Sequence, residues 1–266
     1  MDPPTARVLS FRSMALVEMR GVARRFGEVT ALHGLDLEVH AGEVLGLIGP
    51  NGAGKTTALR ILTGLLEPTS GSVRIDGLDV TAQPLEAKRR FGFVPDGAPL
   101  YANLSPLQHL LLVGRLRGMP EEALEKEARR LLDALELGAR ADDPVGGFSR
   151  GMRQKAAIAC AILPRPPLLI LDEPLTGLDA PTAAATKALL RAWADRGGAV
   201  LYTSHLLDIV ERVSDRIAIL ALGKLVAVGS LDELRARSDD RTLEEVFSRL
   251  TQSEDPEVTA RRVLDG

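Results

Sequence analysis

Hydrophobic and polar positions follow different rules in different parts of the chain. Over residues 35–39 they alternate, with Leu35, Leu37 and Val39 on one side and Asp36, Glu38 and His40 on the other. That is the period of a half-buried strand. A shorter alternation sets Val73 and Ile75 against Ser72, Arg74 and Asp76, between Gly71 and Gly77. Residues 44–48, 168–171 and 199–202 are instead continuously apolar, as strands covered on both faces are. Two further apolar runs, 217–220 and 225–228, are joined through Gly223-Lys224 and read as a hairpin. Early alternating strands, followed by buried strands interleaved with helices, predict an α/β fold with a mixed sheet, partly antiparallel and partly parallel, and helices packed against it.

The middle third is helical in pattern. Ser105-Pro106-Leu107-Gln108 combines a capping serine, a proline at the first helical position and a glutamine three after the cap. Residues 121–137 then place Leu124, Ala128, Leu131, Leu132 and Leu135 on one face. Glu122/Lys126 and Glu125/Arg129 stand four apart on the solvent side. This predicts an α-helical subdomain over about 93–155, inserted into the sheet domain. Capping boxes at Ser230/Glu233 and Thr242/Glu245 open two later helices, the second with Leu243, Val246, Phe247 and Leu250 on one face. The expected organisation is a flexible tail over 1–13, a main domain over 14–235, and a helical extension and tail over 236–266. Residues 1–13 contain no apolar core of the kind a secretory signal needs.

Composition narrows the function classes. The net charge of −3 lacks the basic footprint of a nucleic-acid binder. Aromatics at 3% are too few for a base-stacking platform. One cysteine, Cys160, excludes both an internal disulfide and a thiolate metal cluster; it reads as a small buried residue. No apolar run approaches the ~18–20 residues that span a bilayer, so membrane work would need a partner.

Candidate chemistry sits at the ends of the buried strands. Gly49-Pro50-Asn51-Gly52-Ala53-Gly54-Lys55-Thr56 matches G-x-x-x-x-G-K-[ST], after a buried strand and before the apolar helical positions Ala58, Leu59, Ile61 and Leu62. Glycines let backbone N–H groups converge on phosphate oxygens, and the helix N-terminus adds its positive dipole. Lys55 reaches the terminal phosphates and the Thr56 hydroxyl ligates Mg²⁺. Strand 168–171 ends in Asp172-Glu173. Asp172 is suited to hold Mg²⁺, and Glu173 to orient and deprotonate an attacking water.

On these residues the chain resembles the ATP-binding subunit of ABC transporters over about 16–251, a P-loop NTPase family with ATP and Mg²⁺ as ligands, and the resemblance implies an α/β fold with a mixed β-sheet core, an antiparallel β subdomain and an inserted α-helical subdomain. The resemblance extends to Phe26, similar to the aromatic that stacks on adenine, and to Thr57 in the phosphate loop. Phe148-Ser149-Arg150-Gly151-Met152-Arg153-Gln154 resembles the family signature, Leu-Ser-Gly-Gly-Gln. By that resemblance Ser149 and Gly151 bind the γ-phosphate held by an opposing subunit. Leu178-Asp179 resembles the loop bridging two nucleotide sites, and His205 the switch histidine at the γ-phosphate. Two departures stand out: Asp96 occurs where the family has a glutamine touching Mg²⁺, and Arg150 and Met152 replace Gly and Gln of the signature. The resemblance implies Asp96 as a third Mg²⁺ contact of shorter reach. It implies a pair of ATPase subunits, identical or paralogous, and a separate transmembrane permease at the inner face of the membrane, in an exporter-like branch. The alternative is a soluble ATPase of the same type acting on ribosomes or DNA. Those on ribosomes usually carry two cassettes and those on DNA a long coiled coil, and this chain has one phosphate loop and no sustained heptads.

Overall fold

The computed structural model describes residues 15–238 and 242–251. The expected tail over 1–13 and residues 252–266 of the C-terminal extension lie outside the described residues. The chain builds two sheets. Strands β1 (Ala15–Phe26), β2 (Val29–His40), β4 (Ser70–Ile75) and β5 (Leu78–Asp79) form a four-stranded antiparallel sheet in the order β2-β1-β4-β5. Strands β3 (Val44–Ile48), β6 (Phe91–Val94), β7 (Leu168–Leu171), β8 (Ala199–Ser204), β9 (Arg216–Ala221) and β10 (Lys224–Gly229) form the second, in the order β10-β9-β3-β8-β7-β6. Its neighbours pair in parallel, except at the β9–β10 hairpin edge. That hairpin turns at Leu222 and Gly223, both with positive φ, as a two-residue hairpin turn requires.

The continuous apolar strands divide their side chains between two cores. Leu45 and Leu47 of β3 face a cluster with the inward residues of the antiparallel sheet, such as Val17, Leu35 and Ile75, and with Leu59 and Leu62 of α1 (Lys55–Leu62). Val44 and Ile48 face the opposite cluster. There they join Leu190 of α6 (Ala180–Asp195), Val210 of α7 (Leu207–Val213), and Leu243 and Val246 of α9 (Leu243–Thr251). Period-two alternation therefore persists inside strands whose two faces are both apolar.

The helices between β6 and β7 form a third cluster around Leu110, Leu124, Leu132 and Phe148. They are α3 (Pro106–Leu116), α4 (Glu121–Ala134) and α5 (Arg150–Ile162), while the short α2 (Pro84–Lys88) precedes β6 and α8 (Leu231–Ser238) follows β10. The α3 capping box is complete: Gln108 N–H donates to Ser105 Oγ at 3.2 Å, and Ser105 N–H to Gln108 Oε1 at 2.9 Å. Phe93 pairs with Ile170 in the sheet, so the chain leaves the sheet only after Val94. The periodic run over 121–137 is not one helix: α4 stops at Ala134. Glu136 takes φ +61° and Leu137 N–H donates to Leu132 O at 2.7 Å, a left-handed helix stop. Leu137 still enters the core, 1% exposed. An apolar period alone cannot separate the last helical turn from this closure. Among the described residues no helix is long and apolar enough to cross a membrane.

Candidate nucleotide site

The carboxyl ends of four parallel strands converge on one cleft. β3 runs into the phosphate loop, β7 into Asp172, β6 into Asp96 two residues on, and β8 into His205. Clefts outside the carboxyl ends of parallel strands are where open α/β sheets bind ligands. This one has a volume of about 310 Å³ and is lined by residues 51–57 with Ala31, Asp96, Asp172 and Glu173.

The phosphate loop is shaped by close backbone approaches. A Cβ on Gly49 would collide with the Leu220 carbonyl oxygen. Gly54 caps α1 at φ +106°, where a Cβ would lie 2.8 Å from Ala31 O and 2.9 Å from Leu32 Cδ2. Both positions exclude larger residues, and α1 presents unpaired N–H groups at its start. Lys55 Nζ donates to Gly49 O at 2.6 Å and Pro50 O at 3.3 Å. Desolvation pushes its pKa down, opposed by the charges of Glu173 and Asp172.

The carboxylates are organised by a residue the sequence did not single out. Thr203, fully buried near the end of β8, donates through Oγ1 to Asp172 Oδ1 at 2.6 Å. The same oxygen accepts the Glu173 N–H at 2.9 Å. The only signal was a hydroxyl closing an apolar strand. Glu173 holds φ +50°, a conformation uncommon for a non-glycine residue and concentrated at functional sites. Its Oε2 accepts from Thr176 Oγ1 at 2.9 Å and lies 2.8 Å from His205 Nδ1. Burial pushes the Asp172 carboxyl up and the Asp96 and Glu173 charges add to the rise, while the Thr203 hydrogen bond and the Lys55 charge oppose it.

The structure thus brings together the phosphate loop, Asp96, Asp172, Glu173 and, through Glu173, His205. The remaining motif residues do not line the cleft. Ser149 caps α5 and accepts from Met152 N–H at 3.2 Å. Asp179 caps α6 and accepts from Thr182 N–H at 2.8 Å. Gly151 is buried, and a Cβ there would lie 3.4 Å from the Thr182 side chain and 3.6 Å from Asp179 Oδ2. Phe26 ends β1 at the hairpin, 47% exposed, with the Arg24 guanidinium 4.7 Å from its ring centroid.

The oxygen donors fit a hard cation such as Mg²⁺. Among the described residues no group of three or more His, Cys, Asp or Glu could hold a metal alone. A site with one or two carboxylates, completed by substrate phosphates, is how Mg²⁺ is usually bound.

Sheet order, phosphate loop and strand-end carboxylates define a P-loop nucleotide-binding protein with a helical insertion. The family model described as "ABC transporter" matches residues 32–176. The chain belongs to the ABC transporter family. It is 38% identical over 220 residues to the daunorubicin/doxorubicin resistance ATP-binding protein DrrA of Streptomyces peucetius, covering 83% of this chain and 67% of that protein. It is 37% identical over 217 residues to the Nod factor export ATP-binding protein I of Burkholderia lata, covering 82% and 71%. Among solved structures, an ATP-binding subunit of an ABC transporter superposes with a TM-score of 0.84 at 33% identity, over 89% of this chain and 99% of that one. A dimeric cassette in a post-hydrolysis state, bound to ADP and Pi, matches with a TM-score of 0.74 at 28% identity, over 81% and 98%.

Proposed function

We propose that this chain is the ATP-hydrolysing subunit of an exporter, working as a pair at the cytoplasmic face of a separate membrane-spanning subunit. The observation that carries the paired mechanism is the division of the motif residues. The phosphate loop and carboxylates share one cleft, while Ser149, Gly151 and Asp179 lie outside it. Ser149 and Asp179, both exposed, are available to complete the cleft of a second subunit, identical or paralogous, with Gly151 buried behind them. Named relatives in drug resistance and Nod factor export support outward transport.

Within the cleft the loop N–H groups and Lys55 bind the phosphates, Lys55 leaving the Gly49 and Pro50 carbonyls to do so. Thr56 and Asp172, with Asp96 beside them, would hold Mg²⁺, which neutralises phosphate charge when bound. Glu173 accepts a proton from the water that attacks the γ-phosphorus, and ADP is the leaving group. His205 orients the Glu173 carboxylate and is positioned to meet the γ-phosphate. Phe26, on its exposed hairpin, is the surface offered to adenine.

Lys55→Ala should reduce Mg-ATP binding at least tenfold, measured by equilibrium binding, and affinity within a factor of two of wild type would refute the cleft. Co-purification from detergent-solubilised membranes should recover a membrane-spanning protein; recovery of ribosomal subunits instead would overturn the transport reading.

A further inference from the structure

Arg150 stands at a junction that the phosphate chemistry above does not use. It is the first residue of α5, directly after the cap Ser149. Its Nη2 lies 3.9 Å from Asp96 Oδ1, and Asp96 lines the phosphate cleft. The same guanidinium covers the backbone of Gly177: a Cβ there would lie 2.9 Å from Arg150 Nη1. Gly177 holds φ +69°, a conformation that calls for glycine. Next to it, Thr176 donates its hydroxyl to Glu173, and two residues on, Asp179 caps α6. One side chain from the helical insertion therefore stands beside both Asp96 at the cleft and the loop that positions Glu173. The two places at which the sequence departs from the family pattern face each other.

Charge gives this contact a purpose. Asp96, Asp172 and Glu173 set three carboxylates around a cleft whose lining contains one lysine, Lys55. A polyphosphate anion entering that cleft meets the Asp96 charge unless a cation offsets it. We propose that Arg150 is a positioning residue for nucleotide binding in this cleft. Its guanidinium offsets Asp96 toward the incoming nucleotide, and it holds the Gly177 loop so that the start of α5 and the Glu173 loop keep a fixed relation. The proposal rests on the assignment of the cleft as the ATP site.

The pair is half exposed on both sides, so its strength alone is modest. A coupling of about three- to fivefold in nucleotide affinity is expected, or ~0.7–1 kcal/mol at 1.36 kcal/mol per tenfold. The test is a double-mutant cycle of Arg150→Gln and Asp96→Asn, with equilibrium binding of the non-hydrolysable Mg-AMPPNP at low and high salt. Arg150→Gln should weaken binding about three- to fivefold at low salt and less at high salt. Whatever Asp96→Asn itself costs through Mg²⁺, Arg150→Gln should cost little further in that background, and Arg150→Lys should retain most of the affinity. Losses that simply add, or equal losses for the Gln and Lys variants, would overturn the charge-offset role. Lys55→Ala, measured alongside, reports on the cleft itself. If it binds normally the ATP-site assignment has failed, whereas a normal loss there with an additive cycle rejects Arg150 alone.

Discussion

Thr203 shows how one hydroxyl can set two strand-end acidic residues at once. It donates to Asp172 and accepts from the Glu173 backbone, so the strand-end carboxylates are fixed from the neighbouring strand. Thr203→Val keeps the shape and removes both bonds. Unsatisfied buried groups cost about 1–3 kcal/mol, so the variant should lose stability in this range in denaturant unfolding and lose at least tenfold in ATPase rate. Thr203→Ser should retain most of both. An active Val variant would show that Asp172 and Glu173 need no such support. A second residue-scale test concerns pH. Glu127 accepts from Arg130 and Arg165, which hold its carboxyl well down, at about 2. A depressed carboxyl stabilises the fold above its ordinary value of 4.5 and loses that contribution as pH falls toward 2. The arginines are exposed, so solvent screening keeps the effect near ~1 kcal/mol or less. Wild type and Glu127→Gln should differ in unfolding free energy at pH 6 and converge near pH 2; a constant difference would assign the effect to packing. Burial pushes the Cys160 thiol up to about 12, consistent with the sequence reading of an unreactive residue.

At the scale of elements, local chemistry was the most legible part of the sequence. The Ser105 capping box, the strand at 44–48 and the 217–228 hairpin are each dictated by a few neighbouring residues, and each is present. The end of α4 was not legible, because Leu137 satisfies the same apolar face from outside the helix. Ser149 likewise carries two duties that a motif cannot separate, since it caps α5 as well as matching the signature. Ser105→Ala should cost about 1 kcal/mol of stability through the lost cap while leaving Mg-ATP affinity unchanged, as α3 does not line the cleft. Altered affinity in this variant would mean that the helical insertion is coupled to the nucleotide site through α3.

Across the whole molecule, the decisive fact is strand order. The phosphate loop and Asp172-Glu173 were legible as motifs, and a resemblance supplied their company. That β8 lies between β3 and β7, bringing Thr203 and His205 to the carboxylates, depends on pairings between distant segments. No local pattern encodes such an order. The meeting of Asp96 with Arg150 was hidden for the same reason. The resulting account is that one chain binds ATP and supplies the base, while a second chain completes the site. Glu173→Gln tests it most directly, because the shape is kept and the proton acceptor is lost. Loss of a general base costs ~10²–10⁴ in rate. Size-exclusion chromatography with Mg-ATP, read together with ATP turnover, should show the variant as a dimer retaining ATP, with turnover reduced by that factor. Near-normal turnover, or a monomer that holds ATP without pairing, would contradict the account.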